Sequence, residues 1–111
     1  MKVKLKLSSH EMMYLEQILK PIVATRPQEV KKEQMNAFSI MLDVTDKVVV
    51  KASKLSRSID LFDNKKKHDV TLKYHEAFSL EQFLIGLPEE TDAFKRNLST
   101  KLIAQLNQKL A

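Results

Sequence analysis

The stretch that most constrains this chain runs from Ala37 to Phe62. Its apolar or small residues fall at Phe38, Met41, Thr45, Val48, Ala52, Leu55, Ile59 and Phe62, with gaps that alternate three and four without a break. That is a heptad seam on one long helix. Leu42 and Val49 widen the seam, while Ile40, Val50 and Leu61 lie off it. Apolar residues nearly all round a helix imply burial on more than one side. Phe38, Met41, Val48, Ala52, Leu55, Ile59 and Phe62 are therefore the candidate oligomer seam, and the expected assembly is a homodimer packed along residues 37–62.

Length sets a conflict. A helix from Pro27 to Phe62 would measure about 54 Å, whereas a compact chain of this size has a radius of gyration of about 13 Å. The helix must break, protrude, or pack against another copy. Asp43–Asp46 is the obvious break point, and Val48-Val49-Val50 has strand propensity. The heptad phase passes through both unaltered, which favours one continuous helix.

The flanking segments give the remaining elements. Lys2 to Leu7 alternates strictly, with Val3, Leu5 and Leu7 on one face and Lys2, Lys4 and Lys6 on the other: a half-buried strand with a basic outer face. Ser8 and Glu11 have capping-box spacing and open a helix carrying Met12, Leu15, Ile18, Leu19 and Ile22. A kink or an end is expected near Pro21, which has no N–H to donate. Pro27 and Glu29 suit the start of the next helix. After a turn at Asp63–Asp69, a second strand alternates from Asp69 to His75. Ser79 with Gln82 predicts a short helix capped at Ser79, Gly86 a left-handed helix end, and Pro88 the start of a last helix striped by Phe94, Leu98, Leu102, Leu106 and Leu110. No internal repeat is evident. The expected fold is α+β and mostly α, in the order β-α-α-β-α-α. A small two-stranded sheet packs beside a helical bundle with one long central helix, as a single domain over residues 1–111.

Several function classes are excluded by residue type. The single glycine, Gly86, rules out dinucleotide-binding and Walker-type phosphate loops, which need several. The absence of cysteine excludes disulfides, thiolate zinc sites and thiol nucleophiles. His10, His68 and His75 share no metal-ligand spacing, and Ser8, Ser9, Ser53, Ser56 and Ser58 lack a glycine-framed elbow. His75 and Glu76 as neighbours on a strand would point to opposite faces. No catalytic constellation, metal site or cofactor site emerges, and the expectation is a non-enzymatic protein. No apolar run reaches membrane-spanning length, and the N-terminus lacks the h-region of a signal peptide, so the chain is expected to be cytoplasmic.

Charge supplies the second functional expectation. The net charge is +5, and the acids cluster: residues 76–94 hold five and no base, while residues 95–111 hold four bases and no acid. If the two strands pair, Lys2, Lys4 and Lys6 lie beside Lys73 and His75, with Lys65, Lys66 and Lys67 at one end. Such a cationic ribbon can meet phosphates, although lysine on a water-facing sheet is also ordinary edge protection. Only three arginines, Arg26, Arg57 and Arg96, are available for base reading. A basic alternating strand followed by two helices resembles the ribbon-helix-helix DNA-binding proteins over about residues 2–50. The resemblance implies a strand that pairs with that of a second subunit and enters the major groove. The chain departs from that pattern: no glycine separates the helices, the second helix is too long, and a strand and two helices follow. An interaction or assembly module is thus the first expectation, and a nucleic-acid-binding regulator using Lys2, Lys4, Lys6, Lys65, Lys66, Lys67 and Lys73 the alternative.

Overall fold

The computed structural model describes residues 2–25, 28, 30–56, 67–88 and 90–111, with Leu55 and Ser56 described in backbone only. Six main elements follow one another: β1 Lys2–Leu7, α1 Ser9–Ala24, α2 Met35–Ser56, β2 His68–Lys73, α3 Tyr74–Ile85 and α4 Ala93–Leu110. The fold is α+β and mostly α, as the patterning predicts. Strands β1 and β2 pair antiparallel with Leu5 opposite Val70. Their inner face (Val3, Leu5, Leu7, Val70, Leu72) is buried and their outer face is polar.

The central helix is described from Met35 to Ser56. A 3-10 turn at Lys32–Gln34 leads into α2 at Met35, so the helix does not begin at Pro27. It runs through Asp43–Asp46 and Val48–Val50 without a break. Its described part, about 33 Å long, fits within a longest axis of 42 Å. Ile59, Phe62, Lys65 and Lys66 lie outside the described residues, as does the Leu55 side chain.

Four boundaries differ from expectation, each because a longer-range or stronger local interaction decides. Helix α1 continues one turn past Pro21 to Ala24, where Thr25 Oγ1 donates back to the Pro21 carbonyl at 2.9 Å. Strand β2 ends at Lys73 rather than His75. Helix α3 begins at Tyr74 rather than beyond Ser79, because Glu76 accepts the Lys73 N–H at 2.7 Å and so caps the helix from its third position. Gly86 has φ −80°, an ordinary right-handed value, so no left-handed end occurs. Helix α4 begins at Ala93, after Asp92 and not Pro88, because the Asp92 carboxylate accepts the N–H groups of Phe94 and Lys95.

The absence of an internal repeat is also corrected. Leu7, His10, Glu11, Leu15, Glu16, Gln17 and Leu19 recur, 65 residues on, as Leu72, His75, Glu76, Leu80, Glu81, Gln82 and Leu84. The equivalent core and capping positions Leu7/Leu72, Glu11/Glu76, Met12/Ala77, Leu15/Leu80 and Leu19/Leu84 are all buried. The second helices share a buried rhythm too, Val44-Val48-Ala52 against Leu98-Leu102-Leu106. Leu5 and Val70 are equivalent under the same offset and face each other directly, which is where a two-fold axis must pass. The packing follows the same symmetry: α2 lies against β2 and α3, and α4 lies against β1 and α1. The chain is thus two β-α-α halves related by a pseudo-two-fold. The strand pairing that the ribbon-helix-helix resemblance assigns to a second subunit is made by the chain's own second half.

Candidate functional site

The seam residues with described side chains are mostly consumed by this internal packing. Met41, Val48 and Ala52 are buried, together with Val44 and Thr45, and α1 and α3 cover them. Thr45 satisfies its hydroxyl by donating to the Met41 carbonyl at 2.7 Å. Phe38 alone of these stays partly exposed.

The lysine face forms in part. Lys2, Lys4, Lys6 and Lys73 stand on the outer face of the sheet, with Lys2 directly opposite Lys73. Asp69 stands there too and lies 4.0 Å from Lys4. Lys67 pairs with Glu11 at 3.6 Å. His75 belongs to the first turn of α3, not to the sheet. The outer edge of β1 is closed by α4: the Gln105 amide accepts from Lys6 N–H at 2.7 Å and donates to the Lys6 carbonyl at 3.0 Å.

The histidines do not converge. His10 meets the Phe94 ring edge-on at a centroid distance of 5.6 Å, His68 Nε2 lies 3.4 Å from Ser9 Oγ, and His75 is exposed on α3. Among the described residues no group of three metal-ligating side chains occurs, and no helix is long and apolar enough to cross a membrane.

Helix α3 is the element with an unexplained surface. Its two acids point inward: Glu76 is 3% exposed and Glu81 is 7% exposed. Its large apolar residues Tyr74, Phe78 and Ile85 are 41%, 51% and 57% exposed. The inversion starts at Glu76. Burial by itself would raise the pKa of this carboxyl. The Lys47 ammonium at 2.6 Å, the Lys73 N–H and the nearby charges of Lys47 and His75 outweigh it and hold the group below 4.5. With Glu76 fixed inward beside Ala77, Leu80 and Leu84, helical periodicity turns Tyr74, Phe78 and Ile85 outward at i, i+4 and i+11. Glu81 Oε2 has no hydrogen-bond partner among the described residues. Beside Phe78 an open groove of about 520 Å³ lies between α3, the start of α2 and the end of α1, lined by Phe78, Phe83, Phe38, Met41 and Ile22.

Local patterning hides this face: Tyr74 continues the alternation of β2, and Phe78 falls just before the Ser79–Gln82 capping spacing. The internal repeat was the signal that could have found it. At the position equivalent to Ile85, α1 carries Lys20, which is exposed and lies 3.6 Å from the part-buried Glu16, the equivalent of Glu81. The same half-fold therefore accepts a charged surface at this place, and α3 has an apolar one instead. Comparison with family models, with curated proteins and with solved structures gave no match.

Proposed function

We propose that the protein is a non-enzymatic interaction module whose docking surface is the outer face of α3 with the adjoining groove. One observation carries this: in two halves built on the same buried pattern, α1 has exposed Lys20 where α3 exposes Ile85, and part-buried Met13 where α3 exposes Phe78. The fold does not require that apolar surface, and contiguous exposed apolar area is how binding sites differ from ordinary surface. The test is to give α3 the side chains of α1 in the double variant Phe78→Met, Ile85→Lys. In dilute solution its thermal midpoint should stay within about 4 °C of wild type, a change of under about 1 kcal/mol. A loss above about 2 kcal/mol would assign these residues to folding and defeat the proposal.

A second reading is favoured by Lys2 standing opposite Lys73, a like-charge pair that costs stability unless an anion lies between them. On this reading the sheet's outer face, four lysines against Asp69, meets a polyanion such as duplex nucleic acid. It predicts binding of mixed-sequence duplex DNA that weakens steeply with salt and disappears in Lys2→Glu, Lys73→Glu. Absence of binding at low salt would reduce the lysines to a solvated face.

A further inference from the structure

We infer that the occupant of the α3 face is a second copy of this chain, docked across a true two-fold axis near Phe78; this rests on the interaction-module reading and names its partner. Two copies each carry +5, so most ways of bringing them together oppose like charges. The two stretches that border the groove differ from this: Gln34–Leu42 has no charged residue, and from Tyr74 to Pro88 the only charged side chains among the described residues, Glu76 and Glu81, are buried. In an isologous interface each patch meets itself, so a charge near the axis faces its own copy. A face without formal charge is what such contact requires, and in this cationic chain α3 supplies it.

The polar residues on the face fit the same partner. His75 and Gln82 are exposed and Ser79 partly so. Each of these side chains can both donate and accept a hydrogen bond, so each can pair with its own copy, which a lysine or a glutamate cannot do. The shape is self-complementary as well. An isologous interface needs a projection and a recess on one surface. Phe78 projects, half exposed, from the lip of the groove that Ile22, Phe38 and Phe83 help to line. Aromatic side chains entering such recesses dominate the energetics of interfaces. The charged residues Lys31, Lys32 and Glu33 of the 3-10 turn are exposed next to groove-lining Gln34, where a polar rim belongs.

The experiment is sedimentation equilibrium of the full chain over a wide concentration range, with far-UV circular dichroism to confirm folding. Wild type is expected to reach twice the chain mass of 12.8 kDa, with Phe78→Glu remaining at the single-chain mass. Gln82→Glu, an exposed change that keeps the helix, is expected to weaken association at least tenfold. Gln17→Glu, the same substitution at the equivalent site of α1, is expected to leave it unchanged. Wild type at the single-chain mass throughout would overturn the inference, as would a dimer indifferent to both Phe78→Glu and Gln82→Glu. If wild type is a single chain while Phe78→Met, Ile85→Lys keeps its thermal midpoint, the apolar face is dispensable for folding but is not covered by a second copy. The interaction-module reading then survives and only the second copy falls.

Discussion

At the scale of single residues, two glutamates carry the joints of the fold. Glu11 and Glu76 each sit at the third position of a helix that follows a strand, accept the N–H of the residue before the helix, and face a lysine. Glu76 gives a pH prediction with a definite sign. Its folded pKa lies below its ordinary 4.5, so its ionised form stabilises the fold above that value, and the contribution is lost as pH falls through the lower folded value. Glu76→Gln, which cannot ionise, should be less stable than wild type at neutral pH, and the gap should narrow in acid; urea unfolding at neutral and at acid pH measures both. Lys47→Ala leaves the Glu76 carboxylate buried with one partner fewer. It should cost about 2 kcal/mol, below the 3–5 kcal/mol typical of a fully buried pair, because the Lys47 side chain is 40% exposed. Gln105 was legible from no local pattern, since its partner Lys6 lies 99 residues away. Gln105→Ala should lower stability by about 1 kcal/mol and speed amide exchange at Lys6.

At the scale of elements, the boundaries follow caps that only the folded chain identifies. Asp92→Ala removes the acceptor for two N–H groups at the start of α4 and should cost about 1 kcal/mol. Ser79→Ala, which would cost as much if Ser79 capped α3, should be near neutral because Ser79 lies inside the helix. Gly86→Ala should be neutral or stabilising by up to about 1 kcal/mol, since its φ is ordinary and a Cβ there meets the Gln82 carbonyl oxygen at 3.4 Å. Thermal unfolding of the three variants, compared as a set, checks the corrected boundaries. Ser79 misled because Ser and Gln three apart have capping-box spacing wherever they fall. Glu76 wins because its carboxylate is also held by Lys47, from a helix distant in sequence.

At the scale of the whole molecule, the described seam residues Met41, Val48 and Ala52 are covered within one chain. Val48 is fully buried on α2, which packs against α1, α3 and β2. Val48→Asp should therefore unfold the protein at any concentration, at a cost above about 4 kcal/mol, whereas a variant that only broke a dimer would stay folded when diluted. Circular dichroism at two concentrations separates the outcomes. The seam could not tell an internal partner from an external one, because apolar periodicity specifies that a face is covered and not by what. The repeat held that information, but seven identities among diverged positions are convincing only once Leu5 and Val70 are seen to meet at the axis.

The sequence by itself determined the β-α-α-β-α-α order, the inner face of each strand, the Ser8–Glu11 cap and the buried stripes of α2 and α4. These are local consequences of alternation, helical period and hydrogen-bonding side chains a few residues apart. Tertiary structure alone decided that α3 begins at Tyr74, that β1 is closed by Gln105, that the described seam residues are covered from within, and that Tyr74, Phe78 and Ile85 face outward. Each of those depends on contacts between residues far apart in the chain, whose energies outweigh local propensity.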